Sequence, residues 1–341
     1  MKKKLVNKQS KISGISYTFT YTGIELPVLD ITHPLFISTI DEDAFKSLSL
    51  KAAQKAEQIK KLPFFIKKIM AKLSKMENTY MSGMTTLIMK LGHNLIKGVR
   101  VGFWIKFGSK KINAIALRMR LRDICKYQAE ILIPQLKKTP QKSLCFINIA
   151  GGAASDTINT LILIQKNEPL LLKERKIEIN ILDIDTYGPY FAKQCIEVLK
   201  ESNSYFNGLD ISFRHIQNNW TNTQKLSDLL TERKEWIQLC TSEGGLFEYG
   251  SDKEIIENLN TAYDNSADDM QIAGTLLFDE TNINPYIFEG MKIMGVSSRL
   301  IGIDGLKSIL KNTNWIIDHI KNDGTIYFIF TLKKEQLKDK E

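Results

Sequence analysis

Three short stretches hold most of the residues whose types and spacing suit chemistry. In LCFINIAGGAASDT (144–157) a run rich in apolar residues breaks into Ala150, Gly151, Gly152, Ala153 and Ala154, then restarts at Ser155 and Asp156. The pattern reads as strand, tight loop and helix N-terminus. Small residues let the backbone approach a ligand closely, and the N–H groups of a helix start attract polar or anionic groups. A nucleotide-like cofactor is the first ligand to expect. Next, INILDID (179–185) places Asp183 31 positions beyond Gly152. A carboxylate at the tip of a second strand lies beside such a loop and can accept both ribose hydroxyls of an adenosine-containing ligand, each charge-assisted bond contributing roughly 1.5–3 kcal/mol. Asp185 reads as a cap of the following helix. The third stretch, LCTSEGGLFEYGS (239–251), leaves a strand. Strand C-termini face the ligand crevice in parallel sheets, so Thr241, Ser242, Glu243, Glu248 and Tyr249 are candidates to meet a substrate or the reacting centre. The pair Gly244-Gly245 suggests backbone pressed against a neighbour.

The elements that must position these residues follow from periodicity. Residues 15–30 alternate around Thr22-Gly23 and suggest a hairpin, and His33-Pro34 reads as a helix breaker. Asp41, Glu42 and Asp43 then open an amphipathic helix carried by Phe45, Leu48, Ala52, Ala56 and Ile59 and stopped near Pro63. Further helical segments are expected at about 64–76, 78–97 and 110–138, with a boundary in LKKTPQKS (136–143). Beyond it strands are expected at about 144–149, 176–183, 209–216, 235–241 and 270–279, with helices between, the signature of a doubly wound, mostly parallel sheet. The apolar runs 315–320 and 326–332 flank Asp323-Gly324 and predict an antiparallel closing hairpin.

On these motifs the chain resembles the class I S-adenosylmethionine-dependent methyltransferases, over about 141–335. Their first motif, hydrophobic-Asp/Glu-x-Gly-x-Gly-x-Gly, is similar to Asn148-Ile149-Ala150-Gly151-Gly152-Ala153-Ala154; Asn148 stands where the acid is usual, and Ala150 and Ala154 where glycines are. A dinucleotide-binding domain would want glycines at 150, 152 and about 155 and an acid about 20 residues on, which fits less well. The resemblance implies a Rossmann-like fold, S-adenosyl-L-methionine as cofactor and S-adenosyl-L-homocysteine as product. It implies a cofactor set of Asn148, Ala150, Gly151, Gly152, Ala153, Asp156, Asp183, Ile184 and Thr241. The loop HIQNNWTN adds Asn218 or Asn219 for the adenine edge; Trp220 either covers the adenine face or packs under the next helix. Ser242, Glu243, Glu248 and Tyr249 are left for the acceptor. Methyl transfer from a sulfonium needs a base only if the acceptor must lose a proton. His33, beside Asp30, and Glu243 are the candidates. Asn284-Pro285-Tyr286 reads as a turn bordering the pocket. Asp264, Asp268 and Asp269 read as a helix end and a solvated turn without a metal.

Charge divides the chain. Residues 1–140 carry 26 Lys and Arg against 9 Asp and Glu, and residues 141–341 carry 21 against 29, within a net charge of +9. The reading is a basic, mainly helical region (1–140) serving as lid, substrate or dimer surface, a cofactor-binding domain (141–335) and a charged tail (336–341). Such a basic half meets nucleic acid or anionic lipid, or it packs as a layer against the acidic half with its lysines in water. The expected function is methyl transfer to oxygen or nitrogen of a small molecule. An RNA methyltransferase and a non-catalytic cofactor-binding protein are the alternatives, and a homodimer is conceivable. Lysines at 60, 61, 67, 68, 72 and 75 with Phe64, Phe65 and Trp104 leave peripheral membrane contact open. Four well-separated cysteines and the absence of a long apolar run favour a non-spanning, cytoplasmic protein with free, mostly buried thiols.

Overall fold

The computed structural model describes residues 17–21, 24–66, 68, 83–97, 108–294, 297–322 and 325–335. The Thr22-Gly23 turn, most of the 64–76 segment, Trp104, the Asp323-Gly324 turn and the 336–341 tail lie outside the described residues.

The N-terminal elements are β1 (Thr18–Tyr21), β2 (Ile24–Pro27), α1 (Pro34–Ile37), α2 (Glu42–Lys60), α3 (Gly83–Leu95) and α4 (Ile112–Lys138). The alternating elements are β3 (Leu144–Ile149), α5 (Ser155–Asn167), β4 (Lys176–Asp183), α6 (Tyr187–Leu199), β5 (Asp210–Gln217), α7 (Gln224–Glu232) and β6 (Ile237–Ser242). There follow α8 (Leu246–Tyr249), α9 (Asp252–Asn265), β7 (Gln271–Leu277), α10 (Pro285–Met294), α11 (Gly302–Leu310), β8 (Trp315–Asn322) and β9 (Tyr327–Lys334). The large sheet has the order β5-β4-β3-β6-β7-β9-β8. Its first five strands run parallel, and β9 enters antiparallel between β7 and β8. The expected strands and closing hairpin are present to within about two residues.

β3 and β6 are buried along their whole length, as central parallel strands covered on both faces must be. One face carries α4, α5 and α6 with the N-terminal elements; the other carries α7, α9 and α11. Strand order reverses between β3 and β6, and a crevice opens at such a switch point outside the strand C-termini. α4 is buried nearly all round, from Ile112 to Leu136, because it lies between α3 and α5 and over β7 and β9. The four thiols are free and buried, and burial pushes those of Cys145, Cys195 and Cys240 up to about 12.

Two proline sites correct the sequence reading. His33-Pro34 starts a helix rather than breaking one: Pro34 occupies the first helical position and His33 Nδ1 accepts the Leu35 N–H at 3.1 Å. Proline's fixed φ suits that position and its missing N–H is no loss there. Likewise Asn284-Pro285-Tyr286 opens α10, with Asn284 Oδ1 accepting the Tyr286 N–H at 3.0 Å.

The segment after β2 is bound to α5 at the surface by Lys166, whose Nζ donates to Thr32 Oγ1 at 2.7 Å, and in the interior by Asn159. Asn159 accepts the Ile31 N–H at 2.9 Å and donates to Leu29 O at 3.1 Å and Ser155 O at 2.8 Å, all buried. Asn159→Ala leaves two buried backbone groups without partners, so urea unfolding should show a loss of about 2–4 kcal/mol.

Candidate functional site

The turn from β3 into α5 is left-handed at three residues: Ala150 (φ 55°), Gly152 (φ 50°) and Ala154 (φ 46°). Two of these are alanines in a conformation that costs an L-residue roughly 1–2 kcal/mol. Gly152 adopts it without that cost, and the glycine that close packing demands here is Gly188. The backbone of Gly188, at the start of α6, packs so close that a Cβ there would lie 2.7 Å from the Gly152 carbonyl carbon.

Asp183, at the tip of β4, accepts the Gly152 N–H on Oδ2 and the Asp185 N–H on Oδ1, each at 2.8 Å. Burial raises its pKa, with the two backbone N–H groups opposing. Each oxygen keeps a second lone pair for a ligand. His215 stays within β5, its Nε2 3.0 Å from Asp183 O. Asp185 accepts the Tyr187 N–H at 3.0 Å, as a helix-starting carboxylate should.

A cavity of about 270 Å³ opens outside these strand ends. Ala150, Gly151, Gly152, Ala153, Asp183, Ile184, Asn218, Asn219, Trp220, Glu243 and Tyr249 line it, together with Gly83, Thr86, Leu87 and Lys90 of α3. Trp220 borders the cavity and packs against the core cluster to which α7, α9 and α11 contribute.

Other expected site residues are engaged elsewhere. Asn148, Asp156 and Thr241 lie beneath the loop in one buried network: Asn148 Nδ2 donates to Asp156 Oδ1 at 3.2 Å, and Thr241 Oγ1 and Gln128 Nε2 donate to Asp156 Oδ2 at 2.7 and 3.0 Å. Burial raises the Asp156 pKa. Ser242 Oγ donates to Ile149 O at 2.9 Å and accepts the Leu246 N–H at 2.8 Å. None of these four lines the cavity. His33 caps α1 and borders neither that cavity nor the one beside it.

Glu243 and Glu248 are fixed by cations from the basic half of the chain. Lys90 of α3 pairs with Glu243 Oε2, while Arg120 of α4 reaches Glu243 Oε1 at 2.6 Å and Glu248 Oε1 at 2.8 Å. All four side chains are at most 6% exposed. Thr275 Oγ1 donates to Glu248 at 2.8 Å, and the Arg120 guanidinium lies 4.4 Å from the centre of the Tyr327 ring. Burial alone would raise the Glu243 pKa, but Arg120 and Lys90 together bring it below the usual value. Glu248 stays raised by burial, which Arg120 only partly offsets. Gly244 (φ 73°) and Gly245 are where expected, pressed against Arg120 and Ala150: a Cβ would come within 2.5 Å of Arg120 Nη2 and 2.7 Å of Ala150 Cβ.

Sequence reasoning missed Lys90, Arg120 and the α3 wall. The available signal was a cation within an apolar helical face: Lys90 falls among Leu87, Ile88 and Leu91, and Arg118 and Arg120 stand inside IALRMRL. A smaller cavity of about 100 Å³ adjoins the first and shares Thr86, Gly244 and Tyr249 with it.

No family model and no curated protein sequence matches this chain. Among solved structures it is similar to a possible exported protein from Bordetella parapertussis at 10% identity, covering 89% of this chain and 99% of that one with a TM-score of 0.55. It is also similar to OxaC in complex with sinefungin and meleagrin (10% identity, 56% and 42% covered, TM-score 0.37). The pyocyanin biosynthetic protein PhzM is a third (9% identity, 65% and 58% covered, TM-score 0.41). The chain thus spans 42% and 58% of the lengths of the latter two.

The pH response of the buried ion network follows from these shifts. Because the folded pKa of Glu243 is depressed, its contribution to stability is complete above the unfolded value near 4.5 and is lost as pH falls through the folded value. Glu248, with a raised folded pKa, acts oppositely, losing stability as pH rises from near 4.5. Glu243→Gln leaves Lys90 and Arg120 undercompensated, so denaturant unfolding at pH 7 should show a loss of about 3–5 kcal/mol, and that loss should shrink in acid. With its sheet order, its glycine loop after β3 and its acid at the tip of β4, the chain has a Rossmann-like, doubly wound α/β fold closed by an antiparallel strand pair.

Proposed function

We propose that this protein is an S-adenosyl-L-methionine-dependent methyltransferase that transfers a methyl group to oxygen or nitrogen of a small molecule. The observation that carries this reading is Asp183 bonded to the Gly152 N–H at the edge of the cavity, in the relation a ribose-binding carboxylate needs to a close-approach loop. S-Adenosyl-L-methionine, when bound, supplies a methyl group on a sulfonium that is already a good leaving group. Asp183 accepts the ribose hydroxyls, Asn218 and Asn219 meet the adenine edge, and Trp220 covers a face of the ring. Gly151, Gly152 and Ala153 give the ligand room against the backbone. At the opposite end Lys90 and Glu243, one cation and one anion, match the carboxylate and ammonium of the amino-acid moiety.

Glu243, held ionised by two cations, is a weak base. The protein's contribution to rate is therefore alignment of the acceptor for in-line attack and exclusion of water. A small acceptor is favoured over RNA because Lys90, Arg118 and Arg120, part of the basic surplus, are buried rather than presented to a polyanion. Among the described residues no helix is long and apolar enough to cross a membrane, and four buried thiols suit a cytoplasmic setting.

Calorimetry with S-adenosylhomocysteine tests the proposal: wild type should bind, and no binding would refute it. Asp183→Ala should weaken binding about 10- to 100-fold, in line with the loss of charge-assisted hydrogen bonds. Lys90→Met should weaken S-adenosylhomocysteine about tenfold, the size of one charge-assisted contact, yet leave 5′-methylthioadenosine, which lacks the amino-acid moiety, unaffected.

A further inference from the structure

α2 packs one side on α10: Phe45 and Ala56 are buried, and Asn284, just before α10, donates to Ser49 O at 3.0 Å. Its other side meets water and carries exposed Lys46, Leu50, Lys51 and Lys55. The chain then leaves α2 through Lys60-Lys61-Leu62-Pro63-Phe64-Phe65-Ile66-Lys67-Lys68, an apolar run with a lysine pair at each end. Phe64 is 79% exposed and Phe65 63%, with Lys61 and Lys68 exposed on either side of them. Single apolar residues in water are ordinary, whereas adjacent exposed aromatic rings mark a surface that meets a partner. The charge around them is one-sided. Residues 44–68 hold seven lysines against one acid, Glu57, and neither cavity uses any of these side chains.

We propose that this surface docks the protein on an anionic phospholipid bilayer, with Phe64 and Phe65 inserted at the boundary of head groups and acyl chains and the lysines facing the lipid charges. A bilayer suits both parts at once. Phenylalanine on a basic surface is favoured at the interface, and lysine ammonium groups stay hydrated there while the anionic head groups attract them. A protein partner suits the surface less, because lysine is depleted from protein interfaces. RNA could stack its bases on the phenylalanines but gains little from the aliphatic Leu62 and Ile66 beside them. The docking is independent of the methyltransferase reading.

The test is co-sedimentation of the full-length protein with vesicles of phosphatidylcholine alone and of phosphatidylcholine and phosphatidylserine in equal parts. The protein should bind the mixed vesicles at least about tenfold more tightly than the neutral ones, as several lysines near an anionic surface require, and added salt should weaken that binding. Phe64→Ser combined with Phe65→Ser should lower affinity for the mixed vesicles at least about tenfold, the scale of returning one phenylalanine to water. Lys61→Gln combined with Lys68→Gln should lower it about tenfold. All four positions are exposed and none lines a cavity, so thermal melts of the variants should match wild type. No sedimentation of wild type, equal binding to both kinds of vesicle, or binding that ignores the phenylalanine substitutions would overturn the inference. Tighter binding to a single-stranded RNA, lost with the same two phenylalanine substitutions, would assign the surface to nucleic acid and overturn it equally.

Discussion

The buried ion network of Lys90, Glu243, Arg120 and Glu248 is the constraint on which the arrangement of this molecule depends. Two cations from α3 and α4 meet two carboxylates from the end of β6 and from α8, all out of water. An isolated charge in such a place would be strongly destabilising, so each member requires the others. The N-terminal helices are thereby held against the sheet's C-terminal edge, where they form the wall of both cavities. The strong charge asymmetry between the two halves of the chain has part of its explanation here, as an internal match of opposite signs. Its remaining lysines behave as a wet layer: those of α2 are exposed.

The loop after β3 shows a similar dependence of local conformation on surroundings. Ala150 and Ala154 hold left-handed conformations that glycine would adopt without strain. They are kept there by Asn148, Asp156, Thr157 and Thr241 bonded beneath the loop, and by Gly245 packed against Ala150. The asparagine that replaces the usual acid of the motif is thus a structural member of the floor. Its side chain joins the strand to the first turn of α5 instead of reaching the cavity.

A chamber of aliphatic side chains beside a polar, charge-balanced cavity divides recognition between two principles. Polar groups on the sheet side suit a ligand rich in hydrogen-bonding atoms, whereas the helical side offers apolar contact with few directed bonds.

The sequence by itself determined the sheet and the residues at the C-terminal ends of β3 and β4. Strands of continuous apolar residues, a run of small residues after the first of them, and Asp183 after the second are local signals, because period, loop length and the end of a strand are written in neighbouring residues. Gly151, Gly152, Asp183 and the Asn218–Trp220 loop, read from these signals, line one cavity. Only the tertiary structure decided which polar side chains face that cavity and which lie under it. Asn148, Asp156, Thr241 and Ser242 differ from Asp183 not in type but in having buried partners from distant segments. Lys90 and Arg120 were hidden for the same reason: a cation in an apolar helical face has no meaning until the carboxylates it meets, 153 and 123 residues away, are known.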